Sequence, residues 1–459
     1  MRSSFTLSRA WLIAVGWLLL GYNFSGRGFA HLGVGPIYVG EVVLSAGVLV
    51  SLLLLAMSPT TLTATLRSPL TRLWVLFALL GAARTIPFVS TYGLDALRDA
   101  ALWGYGLFSL LVGAALLRSG WIIKVVQSYR RCILPFLIWA PVALALRIVG
   151  LGVVSPAPGL TVPLIDLKGG DVAVHLAGIM SFMLLGLRRY RNEGVRTQVS
   201  DVVVYALWCC SFVLVATGRA AIVTLLASVL AVIVFSRKTK WKRPALVVGI
   251  IVLLFTGLGI RVPFPAYDRE ISAEQLLRNA RSLVGITGHE ELDGPRQWRL
   301  QWWQTIIGYT IYGDHFWTGK GFGINLADDD GFQVNQDHSL RSPHNSHLTV
   351  LARMGVPGFT IWVVLQIWFA IALLRASALA RRVRQDWWAR LDLWLFAYWL
   401  AFVVNGCFDV FLEGPHGGIS FWCLFGFGIA VLQYQRQCLP AEPRDAAVTG
   451  FKIAHSAPA

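Results

Sequence analysis

The sequence predicts an all-α, polytopic integral membrane protein, and three observations predict it. Hydrophobic residues make up 56% of the 459 residues and charged residues 14%, too little charge to clothe a soluble globule of this length. Apolar runs long enough to cross a bilayer recur from the N-terminus to Gln433, and in lipid such a run satisfies its own backbone only as helix. Lys and Arg gather in alternate short loops between these runs.

The runs give about twelve spans, at residues 10–25, 34–56, 70–88, 94–117, 132–150, 172–187, 200–217, 219–235, 244–260, 346–374, 391–412 and 418–434. The first follows Arg2 and Arg9 and, with so many spans after it, reads as an uncleaved start-transfer anchor rather than a signal peptide. Arg118/Lys124/Arg130/Arg131, Arg188/Arg189/Arg191/Arg196, Arg237/Lys238/Lys240/Lys242/Arg243 and Arg375/Arg381/Arg382/Arg384/Arg390 then share one side, the cytoplasmic one by the positive-inside rule. Both termini fall on that side. The chain divides into a membrane domain of spans 1–9 (1–260), a large outer loop (261–345), a second membrane segment of spans 10–12 (346–434) and a disordered cytoplasmic tail (435–459).

Only Gly218 and Arg219 interrupt the apolar stretch 202–235. Because both flanking loops are basic and therefore cytoplasmic, the chain must reverse at Thr217-Gly218-Arg219, which puts Arg219 at the outer face beside the long loop. An arginine snorkelling to headgroups would look the same at this point.

The net charge of +16 would suggest nucleic acid in a soluble protein, but here the charges serve topology and no nucleic-acid partner is expected. The six cysteines sit in or beside apolar segments without CxxC spacing and read as small apolar residues.

Segment 261–345 is too polar to span and too long for a mere connection, which is where binding or catalysis belongs. Residues 273–284 predict a short helix, and 296–312 an aromatic-rich helix lying in the headgroup plane, with Trp298, Trp302, Trp303, Tyr309 and Tyr312 as interfacial anchors. Gly319-Lys320-Gly321 reads either as a backbone cradle for a phosphate or as a plain turn. Asp328-Asp329-Asp330-Gly331 lacks the alternation and terminal Glu of a calcium loop and reads as a solvated turn.

Ser342-Pro343-His344-Asn345 is the sharper signal. Ser as cap and Pro in the first turn would set His344 in the first turn of the span opening at Ser346, where the helix N-terminus keeps an imidazole neutral, as a general base must be. His347, three residues on, would share its face. The spacing of His338, His344 and His347 fits no zinc pattern, so no metal and no cofactor are read. Glu41, Arg84, Arg98, Asp99, His175, Asp409 and Glu413 lie at membrane depth toward the outside, either as ion pairs such as Arg98 with Asp99 or around a cavity open to the outer leaflet.

Taken in order, Thr217-Gly218-Arg219-Ala220, Arg299-x-x-x-Trp303, Gly319-x-Gly321, His344-Asn345-x-x-Leu348 and Gly355-x-x-Gly358 resemble the O-antigen ligase and polymerase superfamily of bacterial envelope glycosyltransferases. Weaker echoes are Ile37-Tyr38-Val39-Gly40-Glu41 and Leu97-Arg98-Asp99 with Tyr105; a proline often found before the Gly-x-Gly is replaced by Trp317-Thr318. The resemblance implies a GT-C-like helical fold in the bacterial inner membrane. It also implies metal-independent transfer of a glycan from undecaprenyl diphosphate to an acceptor hydroxyl, of lipid A-core or a growing polysaccharide, on the periplasmic face. Carried over by position, it implies that Arg219 and Arg299 bind diphosphate and that His344 is the base. Arg296, Lys320, Arg341, Asn345, Gly319, Gly321 and Arg98 follow as substrate-binding candidates. A polymerase or an O-linked protein oligosaccharyltransferase of the same superfamily fits the sequence equally. A polysaccharide transporter or flippase is the reading from another class, against which stands the absence of an internal repeat.

Overall fold

The computed structural model describes residues 2–35, 37–57, 68–148, 155, 162–189, 199–216, 218–236, 245–246, 249–250, 262–264, 269–272, 274 and 290–438. The expected span 244–260, the expected helix 273–284 and the chain beyond Cys438 lie wholly or largely outside these residues.

The chain is helical almost throughout, as a backbone in lipid must be. In order come α1 (Arg2–Ser25), α2 (Val39–Met57), α3 (Pro69–Tyr92), α4 (Leu94–Asp99), α5 (Ala101–Gly104), α6 (Leu107–Ser119) and α7 (Ile122–Ile148). They are followed by α8 (Gly169–Leu184), α9 (Asp201–Val215), α10 (Arg219–Phe235), α11 (Glu290–Ile311), α12 (Ser346–Arg382), α13 (Asp386–Gly406) and α14 (Pro415–Cys438), with single helical turns and two short antiparallel hairpins, Gly33–Val34 with Ile37–Tyr38 and Val262–Phe264 with Arg269–Ile271.

Among the described residues six helices, α2, α3, α7, α12, α13 and α14, are long and apolar enough to cross a bilayer, and α4–α6 taken together make a seventh. Helices α8, α9 and α10 are apolar but have 16, 15 and 17 residues. An all-α membrane protein is therefore what folds. Three expected spans are redrawn. Residues 94–117 are a broken span bent by 43° around Gly104-Tyr105-Gly106, where Gly106 carries no side chain and Trp74 fills the space. The span expected at 391–412 ends as helix at Gly406, leaving Asp409 and Glu413 in the connection to α14. Helix α14 continues to Cys438, past the point at which a disordered tail was expected to start.

Helix α14 runs through the centre, buried along most of its length, against α6, α12 and α13. Aromatic rings fill the space: Phe425 stacks on Phe369 at 4.0 Å, and Trp362 packs against Phe421 and Trp422. Helix α13 packs in turn on α8 and α10, and α3 lies along α12.

The long loop that precedes α12 docks on it through a backbone exchange. Gly355 adopts φ 66° inside α12 and opens its hydrogen-bond ladder. Val356 N–H donates to Phe316 O, while Ala352 and Arg353 carbonyls accept from Lys320 and Gly321 N–H. The approach is so close that a Cβ on Gly355 would lie 2.5 Å from Phe316 O, and one on Gly319 (φ 59°) 2.5 Å from Met354 N. Gly319 and Gly355 thus meet one another, while Gly321 packs against Phe88 and Gly358 against Met354, and the Gly319 N–H has an internal acceptor, His315 O.

Candidate active site

Helix α11 lies on α12 and presents Arg299 toward the connection between α13 and α14, where Arg299 Nη1 donates to Phe408 O at 3.2 Å. Next along that connection, Asp409 Oδ1 is 3.7 Å from His344 Nδ1, and Asp409 Oδ2 is 3.6 Å from Lys168 Nζ. Trp298, one residue before Arg299, stands 6.3 Å from the His344 ring between centroids. Trp303 Nε1 donates to Pro343 O at 2.8 Å and ties α11 to the segment carrying His344.

Arg219 opens α10 directly after Gly218, at the helix break the sequence predicted; Thr217 lies outside the described residues. Burial pushes the Arg299 guanidinium down from its ordinary value; Asp409 opposes this, and the nearby Arg219 charge adds to it. Arg299 and His344, 45 residues apart in the chain (344 − 299), thus meet at the 408–409 turn, and Arg219 lies near enough for its charge to act on Arg299. Like charges that act on one another in this way repel, and a bound dianion would relieve the repulsion.

His344 is not in the first turn of the helix, as the sequence suggested. Asn345 is the cap: its Oδ1 accepts from the N–H groups of His347 and Leu348, both at 3.1 Å. His344 precedes the cap with φ 53°, a conformation uncommon for a residue with a side chain, and its ring turns back to the Asp409 connection. Asn outranks Ser as a cap only slightly, so nothing local in Ser342-Pro343-His344-Asn345 discriminates the two registers. His347 does not share the site, because its Nε2 lies 2.9 Å from Val403 O and its Nδ1 accepts from Trp362 Nε1 at 3.0 Å. His338 pairs with Asp328 at 2.8 Å on the exposed side of the loop.

The other candidates are held elsewhere. Lys320 Nζ sits between Asp329 and Asp330 and 4.1 Å over the Tyr309 ring. Arg341 pairs with Asp95 at 3.3 Å and Asp99 at 3.0 Å, Arg98 lies 3.6 Å from Asp99, and Arg296 is exposed. Gly319 and Gly321 spend their N–H groups on the protein itself.

Sequence reasoning missed the part played by four residues here. Lys168 and Asp409 face His344 as described. Arg353, 2% exposed, pairs with Asp99 at 2.9 Å and donates to Gly321 O and Ile324 O. Glu413 is pushed up from 4.5 to about 7 by burial, against the opposing influence of Thr349 and Arg353. Asp409 is the reverse case: burial alone would raise it, but His344, Lys168 and the Val410 N–H hold its carboxyl well below the usual carboxylate range. The signal for both acids was present, since charges at the end of an apolar run mark where the helix stops.

Residues 204–363 match the family model described as O-antigen ligase. No curated protein matches the chain. The matched segment, about a third of the chain, contains Arg219, Arg299, the Gly319–Gly355 contact and His344, and supports a likeness to the O-antigen ligase and polymerase superfamily of membrane glycosyltransferases.

Proposed function

We propose that the protein is a metal-independent ligase that transfers a glycan from undecaprenyl diphosphate to an acceptor hydroxyl of lipid A-core or a related saccharide, at the periplasmic face of the bacterial inner membrane. The observation that carries this reading is the meeting of Arg299 and His344 beside the 408–409 turn, with Arg219 near enough for its charge to act on Arg299. The two arginines bind the diphosphate and stabilise the charge that grows on it as the anomeric C–O bond breaks. His344 takes the acceptor proton while the acceptor oxygen attacks the anomeric carbon. Diphosphate leaves as a stable anion, so no general acid is required.

A cavity of about 370 Å³ between α12 and α13, lined by Trp362, Ile367, Ile371, Trp399, Val403 and Cys407, has the apolar walls that suit a polyprenyl chain. Lys320, Arg341 and Arg98 act in this reading as loop fasteners rather than substrate ligands, because their partners are aspartates of the protein. The positive-inside pattern supports twelve spans with cytoplasmic termini.

The test is transfer by purified protein between undecaprenyl-diphosphate-linked glycan and acceptor taken from the same envelope. His344→Ala abolishes product while the protein remains inserted and folded; normal product from that variant rejects the assignment. A polymerase would instead lengthen one lipid-linked glycan with another, and envelopes of a deletion strain would then carry single repeat units rather than bare acceptor.

A further inference from the structure

Asp409 is fixed from every side. Its carbonyl accepts from Ser346 Oγ at 3.1 Å, and that hydroxyl accepts in turn from Leu412 N–H at 3.3 Å, bolting the 408–412 turn to the first turn of α12. Phe408 O is held by Arg299. The two carboxylate oxygens meet different partners. Oδ1 accepts from Val410 N–H at 2.8 Å and faces His344, whereas Oδ2 faces Lys168. An oxygen with one such bond keeps a second acceptor direction. On the other side, the left-handed backbone of His344 brings its Nδ1 back toward this carboxylate instead of letting the ring run up the helix. Such a conformation is strained for a residue with a side chain and persists where the surroundings enforce it.

We propose that Asp409 is the positioning residue of the base, accepting the Nδ1–H of His344 so that Nε2 is the free lone pair, with Lys168 holding the carboxylate in place. This rests on the reading of His344 as base. In the reaction the acceptor O–H bond breaks and its proton goes to Nε2. The acceptor oxygen bonds to the anomeric carbon, and the electron pair of the breaking C–O bond leaves on the diphosphate. The Asp409 carboxylate balances the imidazolium until water removes the proton. A separation of 3.7 Å is longer than a hydrogen bond, as catalytic contacts without substrate often are, and closes when the ring donates. Carboxylate orientation of an imidazole serves to fix tautomer and direction rather than to accept the proton.

The groups facing His344 set the expected pH behaviour. Asp409 faces His344, and Lys168, before α8, faces Asp409; Arg299 on α11 is held by the Phe408 carbonyl next to them and feels the charge of Arg219 on α10, and Glu413 lies further along the same connection. Asp409→Asn therefore lowers turnover at neutral pH by at least roughly 10-fold and moves the acid limb of the pH–activity profile about one unit to lower pH. Lys168→Met moves that limb the other way, and Asp409→Glu restores part of the turnover.

The measurement is transfer rate against pH in proteoliposomes, with donor glycan lipid and acceptor isolated from the same envelope. An unmoved acid limb in Asp409→Asn, with His344→Gln inactive, overturns the positioning role alone. Full activity in His344→Gln overturns the base reading itself. Should Asp409→Asn fail to accumulate, Lys168→Met decides: a limb displaced upward supports the dyad, and an unmoved limb rejects it.

Discussion

Replacing Arg353 by Met probes the pin that holds the long loop before α12 on the membrane helices. Arg353 is 2% exposed and pairs with Asp99, whose side chain is 8% exposed, while also serving Gly321 O and Ile324 O. Methionine fills much of the volume but leaves a buried carboxylate short of a partner, and breaking a buried pair from one side costs about 3–5 kcal/mol. Asp99 keeps Arg341 at 3.0 Å and the Gly323 N–H at 3.1 Å, which argues for the lower end. The two orphaned carbonyls add about 1 kcal/mol or more each. About 3–5 kcal/mol corresponds, for a chain of 459 residues, to a fall in melting temperature on the order of 3–5 °C, read by thermal unfolding in detergent. The pair Arg353→Met/Asp99→Asn should lose less than the sum of the two single variants, because the stranded charge is gone. An unchanged melting temperature, or strictly additive losses, would refute the pin.

Gly355→Ala is expected to destabilise by about 1–3 kcal/mol, since a side chain at φ 66° is strained and its Cβ meets Phe316 O; thermal unfolding checks it. Inorganic pyrophosphate near 100 times its dissociation constant should stabilise the wild type by about 2.7 kcal/mol, and Arg219→Ala or Arg299→Ala should lose the effect. Arg299→Lys keeps the charge but loses the fork, so it should bind pyrophosphate more weakly than wild type by calorimetry. The Glu413 carboxyl is raised in the folded state, so its contribution is present below its ordinary 4.5 and lost as pH climbs through about 7. Glu413→Gln should therefore flatten the decline of melting temperature between about pH 4.5 and about pH 7.

Much of this architecture was legible in the chain. The break at Gly218-Arg219 followed from parity of basic loops, because topology is written in neighbouring residues, whereas the cap register of the Ser346 helix was not legible, with Asn345 rather than Ser342 closing it. Arg219, Arg299 and His344 were found through motifs that lie within the matched segment. What stayed hidden depends on contacts across the fold. Asp409 looked like the end of a span, since hydropathy does not register that the helix stops at Gly406. Lys320 and Arg341 looked available because their aspartate partners lie in other turns or, for Arg341, some 240 residues away. The glycines read as a phosphate cradle because a positive-φ turn looks the same whether a ligand or α12 fills it.

The most direct test of the central claim separates donor binding from turnover in one set of proteins. Affinity for undecaprenyl diphosphate and single-turnover transfer are measured for Arg219→Ala, Arg299→Ala and His344→Gln in the same membranes. Weakened binding in both arginine variants, with binding intact and transfer lost in His344→Gln, is the predicted pattern. Arginine variants that bind and transfer like wild type, or a His344→Gln that transfers normally, would contradict it.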